Sequence, residues 1–331
     1  MKRQYNLALM PQKKGAAVVE FAQNFSDLAD HYLLGENSYP HVTLYQFETD
    51  EAALNALGER LKREWQERPL ALEFNEWTYV TYDNSTYWLS LMPNQSEILH
   101  KMHAHIADLI QQPVKESFTP HMTLMNSKMK EGAKEIQARW HLYATIADYF
   151  VLTLGKSDPV GQFTEILRRS QYMGECCCGA IQFYCEGDPF FTQYCHCNKC
   201  REIATPSRRE VDKQGYAWTA GYRTADFKMT AGMDHLEEVV RNNAKLLRCR
   251  SCHGLIYGIS LDPKKQGGIG VNVNNFYFAG GMPECFKSVR HVWYVNRKVD
   301  FEDGLQKFKD APREQFGSGV LWEGDEVARG E

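Results

Sequence analysis

Two histidines and two threonines stand in matching phrases of the sequence. Residues 39–47 read YPHVTLYQF and residues 119–125 read TPHMTLM, so His41 and Thr43 recur as His121 and Thr123. In a strand, successive side chains alternate between faces. Each phrase therefore presents an imidazole and a hydroxyl on one face and two apolar residues on the other. If the two faces meet, the four groups suit phosphodiester chemistry and require no metal. One neutral imidazole can take a proton from water or a ribose hydroxyl, while the other, protonated, gives one to the leaving oxygen. An ordinary histidine pKa of about 6.5 lets both forms coexist near neutral pH. The two hydroxyls can hold the non-bridging oxygens as charge builds on the phosphorus.

The elements that must position these groups also repeat. NLALMP (6–11) precedes the first phrase and WLSLMP (88–93) the second, each alternating apolar residues up to a proline. Between strand and phrase lie segments with mixed three- and four-residue apolar spacing, 16–33 and 96–112, which predict helices. Each half thus reads strand, helix, strand, and two such units related by a pseudo-twofold axis can bring both His-x-Thr faces to one cleft. Further strands are expected at 70–82 and 149–155, the latter running into 156–167. His100, His103 and His105, in HKMHAH, read as a solvated helix face.

The cysteines tell a different story. All ten lie between Cys176 and Cys285. They cluster as Cys176 with Cys178, Cys195 with Cys197 and Cys200, and Cys249 with Cys252. Closely spaced thiolates are soft ligands for zinc, and two distant pairs can complete a tetrahedron that pins the sheet carrying them. The trio supplies three sulfurs, which leaves one coordination position for something else. Cys177, Cys185 and Cys285 read as small buried residues or spare thiols.

The first 168 residues resemble the two-histidine (2H) phosphoesterases, including the 2′-5′ RNA ligase-like proteins. The likeness rests on His41-Val42-Thr43-Leu44, His121-Met122-Thr123-Leu124 and the stretch GQFTEIL. It implies a bilobal, pseudo-symmetric α+β fold with antiparallel sheets. It also implies action on 2′,3′-cyclic or 2′-5′ phosphodiesters of short RNA or small nucleotides, with His41, Thr43, His121 and Thr123 as the catalytic set. From about Gly174 to Asp310 the chain resembles the glutathione-dependent formaldehyde-activating enzymes, a β-rich zinc-bearing family. By that likeness Cys176, Cys178, Cys249 and Cys252 hold a structural zinc. Cys195, Cys197 and Cys200 hold a second, and a thiol such as glutathione is a candidate partner. The chain departs from that family in carrying His253 where glycine usually follows the last CxxC cysteine. It departs again in the charged stretch 202–215 after Cys200-Arg201, which is expected to border the thiol pocket.

Composition frames the whole. With 331 residues, 43% hydrophobic and 24% charged, the chain has room for two ordinary globular domains. A net charge of −4 does not resemble the basic footprint of a long-duplex binder. No apolar run approaches the roughly 20 residues that span a bilayer. The N-terminal apolar run is too short for a secretory signal, so a cytoplasmic location is expected. The boundaries read as a phosphoesterase domain at 1–168, a polar linker at 169–173, a zinc domain at 174–312 and a partly disordered tail at 313–331.

Overall fold

A computed structural model of the chain describes residues 2–324 other than 36, 66, 144, 199, 202–214 and 242. The chain splits into two compact units, Met1–Gln171 with Phe278–Gly281, and Tyr172–Tyr277 with Met282–Glu331.

The first unit is built on β1 (Arg3–Pro11), α1 (Gly15–Gln23), β2 (Val42–Thr49), α2 (Glu51–Glu64), β3 (Leu70–Thr81) and β4 (Tyr87–Pro93). It continues through α3 (Ser96–Leu109), β5 (Met122–Ser127), α4 (Gly132–Arg139), β6 (Ile146–Ser157) and β7 (Phe163–Arg169). The seven strands form one sheet in the order β2-β1-β6-β3-β4-β5, with β7 on β6. All its pairings are antiparallel.

The strand pairs that carry the repeated phrases match residue for residue. Ala8 pairs with Thr43 and Leu9 with Val42, after a register shift at Leu7/Ala8. Ser90 pairs with Thr123 and Leu91 with Met122, after a register shift at Leu89/Ser90. A bulge bends a strand and re-aims the side chains beyond it, and here it lies at the same point of both strand pairs. Leu7, Leu9, Val42 and Leu44 join Leu89, Leu91, Met122 and Leu124 in one buried core with α1 and α3. Each such side chain contributes about 2 kcal/mol of burial free energy, which fixes the strand face and sends the His-x-Thr residues to the other side.

Each half also clasps the phrase of the other. The segment after α1 bonds to β5, with Leu34 N–H donating to Leu124 O at 2.8 Å and Asn126 N–H to Tyr32 O at 2.9 Å. In return His103, on α3, donates from Nδ1 to Leu44 O on β2 at 2.7 Å. The edge strands β2 and β5 consequently approach one another although they lie at opposite ends of the sheet order.

Two expectations change here. The helix predicted over 16–33 stops at Gln23, because Asn24 turns its side-chain amide back onto Phe21 O at 3.1 Å and the chain then leaves to pair with β5. His103 is 1% exposed and not part of a solvated face. Its Nε2 accepts from Lys115 N–H at 3.0 Å, and its ring stacks on Phe118 with centroids 4.1 Å apart. His100 is exposed, as expected.

The second unit opens with β8 (Gln171–Glu175), β9 (Gln182–Glu186), β10 (Phe191–Cys195), β11 (Ala217–Arg223) and β12 (Phe227–Ala231). It adds β13 (Leu236–Arg241), β14 (Ala244–Cys249), β15 (Leu255–Ser260), β16 (Gly268–Asn272), β17 (Arg290–Val292) and β18 (Gln306–Lys307). They form an eight-stranded sheet, β13-β14-β15-β16-β11-β10-β17-β18, and a three-stranded one, β12-β9-β8. The expected linker at 169–173 is not a loop. Strands reach it from both sides, and Arg169, Gln171, Tyr172 and Met173 are buried. Its polar groups find carbonyl partners, Gln171 Nε2 donating to Glu67 O at 2.7 Å and Arg169 Nη2 to Ala279 O. The first part of the expected tail is also ordered by contacts. Trp322 N–H donates to Lys307 O at 2.8 Å, and its ring meets Tyr294 at 5.0 Å. Residues 325–331 lie outside the described residues. Among those described, no helix is long and apolar enough to cross a membrane.

Candidate active site and metal centres

Proline sets up each histidine. Residues preceding proline are held extended, and proline fixes its own φ, so Tyr39-Pro40-His41 and Thr119-Pro120-His121 make the same corner into β2 and β5. At both corners the imidazole reaches back to the carbonyl two residues earlier. His41 Nδ1 lies 2.7 Å from Tyr39 O, and His121 Nδ1 lies 2.7 Å from Thr119 O. A carbonyl only accepts, so the neutral ring carries its proton on Nδ1 and its lone pair on Nε2. Two imidazoles with Nε2 as the working nitrogen are what a proton acceptor and a proton donor at one phosphate need.

The charge of one ring is felt at the other, with His121 acting on His41. His41 is 5% exposed, and burial pushes its pKa down to about 4, against the Tyr39 bond and together with the charge of His121. Burial also lowers His121, opposed by its bond to Thr119 O. Coexistence of the two protonation states near neutral pH, expected from the sequence, is therefore moved to lower pH in the free protein. The cause is desolvation, which the sequence does not display.

Thr43 sits on the same face as His41, and its Oγ1 accepts from Asn6 Nδ2 at 3.0 Å. That bond leaves the hydroxyl proton free to point at an oxygen of a ligand. Thr123 lies opposite Ser90 across the β4–β5 pair, as Thr43 lies opposite Ala8 across β1–β2. Phe163, from the GQFTEIL stretch, packs its ring 5.3 Å from that of His41 and closes this side with Ala8 and Met10. Asn6 and Ser90 belong to neither repeated phrase. Both stand about thirty positions before their phrases, and only pairing of the strands brings them to it.

All seven predicted sulfur ligands fall into two groups. Cys176, Cys178, Cys249 and Cys252 have their sulfurs within 4.8 Å of one another, and so do Cys195, Cys197 and Cys200. No cysteine is in a disulfide. In the four-cysteine group Cys176 Sγ lies 3.4 Å from Cys178 Sγ, which lies 3.6 Å from Cys249 Sγ. A tetrahedron with zinc–sulfur bonds of about 2.3 Å has edges of about 3.8 Å, so a zinc ion fits with little movement. Tight turns shape the two knuckles. Ile181 N–H donates to Cys176 Sγ at 3.2 Å, and Cys249 N–H to Gly254 O at 3.0 Å. His253, at the position noted in the sequence, adopts φ +57°, the left-handed region that favours glycine.

The trio is carried by the end of β10 and the turn after it, where Cys200 N–H donates to Cys197 Sγ at 3.4 Å. Three thiolates suit a zinc ion that keeps one position for a further donor, and there it would act as a Lewis acid. The stretch expected to border a thiol pocket, 202–215, lies outside the described residues except for Gly215. Of the remaining cysteines, Cys185 is fully buried, while Cys177 and Cys285 are half-buried.

Comparison with known proteins separates the halves in the same way. The 2′-5′ RNA ligase superfamily matches residues 13–153, and the glutathione-dependent formaldehyde-activating enzyme family matches residues 171–296. No curated protein matches the chain. Among solved structures, E. coli LigT complexed with 3′-AMP is 16% identical, covering 51% of this chain and 97% of its own, with a TM-score of 0.37. A Rhodobacter sphaeroides protein is 21% identical, covering 36% of this chain and 99% of its own, with a TM-score of 0.26. The N-terminal half of the chain therefore resembles the 2′-5′ RNA ligase superfamily, and the C-terminal half the glutathione-dependent formaldehyde-activating enzymes.

Proposed function

We propose that the first unit is a metal-independent phosphodiesterase for 2′,3′-cyclic or 2′-5′ phosphodiester bonds at RNA ends or in small nucleotides. The observation that carries this reading is the matched pair of Nδ1 bonds to Tyr39 O and Thr119 O, which leaves both Nε2 atoms for the substrate. One Nε2 takes the proton of water, whose oxygen attacks phosphorus. The other, as an imidazolium, gives its proton to the ribose oxygen that leaves. Thr43 and Thr123 donate to the non-bridging oxygens as the phosphorus becomes five-coordinate. The two strand–helix–strand units serve as the two lobes of a pseudo-symmetric site, and the roles of the histidines exchange between forward and reverse reactions.

The test is hydrolysis of a panel of 2′,3′-cyclic nucleotides and 2′-5′-linked dinucleotides by the full chain, beside His41→Ala and His121→Ala. Each substitution should lower kcat by about 10²–10⁴-fold. Activity should persist after removal of zinc by a chelator that leaves the first unit folded. Binding of the panel without turnover by the unsubstituted chain would move the reading to a nucleotide-binding protein.

A second reading concerns the thiolate trio. Its three-sulfur donor set supports a second zinc beside the structural one, with a thiol such as glutathione as the fourth ligand and carbon–sulfur chemistry with an aldehyde as the reaction class. Two zinc ions per chain by elemental analysis, one of them shifted spectroscopically by added thiol after cobalt replacement, would support it. A single ion unaffected by thiol would exclude it.

A further inference from the structure

Next to the thiolate trio runs a chain of three polar groups, two buried imidazoles ending on a carboxylate that reaches the surface. His196, between Cys195 and Cys197, has its Nε2 2.8 Å from Nδ1 of His291, and His291 Nε2 lies 2.7 Å from Asp303 Oδ2. Both imidazoles are 0% exposed. Tyr294 and Phe301 pack around both rings. Asp303 is itself held, its Oδ1 accepting from Leu305 N–H at 3.2 Å and from Lys307 Nζ at 3.4 Å.

The order of protons along this chain follows from its end. A carboxylate only accepts, so His291 carries its proton on Nε2 and its lone pair on Nδ1. That lone pair must meet a donor, so His196 also carries its proton on Nε2 and is left with an unprotonated Nδ1. Among the described residues that Nδ1 has no hydrogen-bond partner. Burying such an atom is costly, and the cost falls on the one residue that separates two of the three thiolates. The backbone is fastened at the same place. His196 N–H donates to Val292 O at 3.0 Å, and β10 pairs in parallel with β17 through Tyr194 with His291 and Cys195 with Val292. Strand pairing fixes where the segment lies, and the imidazole chain fixes how it is turned.

We propose that Asp303, acting through His291 and His196, is a positioning relay for the Cys195–Cys197–Cys200 site. The fixed carboxylate dictates the tautomer of both imidazoles, and the locked His196 ring holds the flanking cysteines in the orientation that takes a thiolate-binding divalent metal. This inference rests on the reading of the trio as a metal site. It extends that reading to residues about a hundred positions away in sequence that do not touch the metal.

The experiment uses the full chain, cobalt(II) as the probe, and two substitutions at Asp303, whose side chain is 33% exposed. Asp303→Ala removes the acceptor, and Asp303→Asn keeps an acceptor oxygen. Cobalt titration against a competing chelator reads the number of sites and the tightness of each. Nitrogen-15 spectra of the imidazoles, assigned with His196→Gln and His291→Gln, read which nitrogen carries the proton. The unsubstituted chain should take two cobalt ions and show His196 and His291 protonated on Nε2. Asp303→Ala should weaken one ion by about tenfold or more and spare the other, with part of the loss recovered in Asp303→Asn. An unsubstituted chain that takes only the four-cysteine ion overturns the reading of the trio itself. Two ions held equally tightly by the unsubstituted chain and by Asp303→Ala overturn the relay while leaving that reading intact. If Asp303→Ala does not fold, the unsubstituted spectra decide, since a proton on Nδ1 of either histidine overturns the relay and protons on both Nε2 atoms support it.

Discussion

His41 and His121 make the same bond: each Nδ1 lies 2.7 Å from the carbonyl two residues before it, across a proline. The equality has a consequence for pH. Burial holds His41 down to about 4 and His121 below its ordinary 6.5. A base works above its pKa and an acid below it, so kcat/KM, which reports the free protein, should rise as pH increases from about 4. It should fall again as pH passes through the lowered His121 value, giving an optimum below 6.5 whichever ring is the base. A bound phosphodiester is negatively charged and raises both imidazole pKa values, so the kcat profile should lie at higher pH than that of kcat/KM. A kcat/KM maximum above pH 7.5 would contradict the arrangement.

Asn6 and Thr43 give a second prediction. Asn6 Nδ2 fixes the lone pairs of Thr43 Oγ1 and thereby aims its hydroxyl proton. On the proposed phosphodiesterase mechanism, Asn6→Ala should lower kcat by about tenfold with little change in KM, because there the hydroxyl matters most when charge develops on the phosphate oxygens. Steady-state kinetics on the best substrate of the panel would check it, and an equal rise in KM at constant kcat would instead assign Asn6 to ground-state binding.

His103 is the clasp on β2, and its loss should be felt as stability. His103→Ala leaves Leu44 O and Lys115 N–H without their imidazole partner and removes a ring stacked on Phe118. Leu44 is buried, and a buried group left unpaired costs about 1–3 kcal/mol; with the lost ring stacking the variant should lose about 2–4 kcal/mol in denaturant unfolding of the first unit. A loss under 1 kcal/mol would show that water replaces both bonds.

The legibility of these features in the sequence follows from their range. PHVTL and PHMTL announce both strand faces because alternation is local, and the cysteine pairs announce two sulfur clusters because CxC and CxxC spacing is local. Asn6, Ser90, Asp303 and the buried state of His103 were not legible, since each depends on partners twelve or more residues away. HKMHAH reads as a polar helix face until β2 and Phe118 cover one of its histidines. The stretch at 169–173 reads as a linker from its polarity alone, and only pairing of its two ends with β6 and β9 makes it strand. The helix predicted to Leu33 stops at Gln23 for the same reason, because pairing with β5 outweighs local apolar periodicity.

His253 supplies the last prediction. It is exposed and stands at φ +57° directly after Cys252, while its N–H donates to Cys249 O at 2.8 Å to close the knuckle. A non-glycine residue in this region costs about 1–2 kcal/mol, part of which a glycine returns to the flexibility of the unfolded chain. His253→Gly should therefore stabilise the second unit by up to about 1 kcal/mol and slow removal of the four-cysteine zinc by a chelator. Cys249→Ser should do the reverse and unfold that unit, because a metal held by its four thiolates contributes directly to folding. Cys197→Ser should leave folding intact and remove only the metal of the trio. Thermal unfolding with metal analysis on the three variants separates these outcomes, and a His253→Gly protein less stable than its parent would mean that the imidazole itself supports the knuckle.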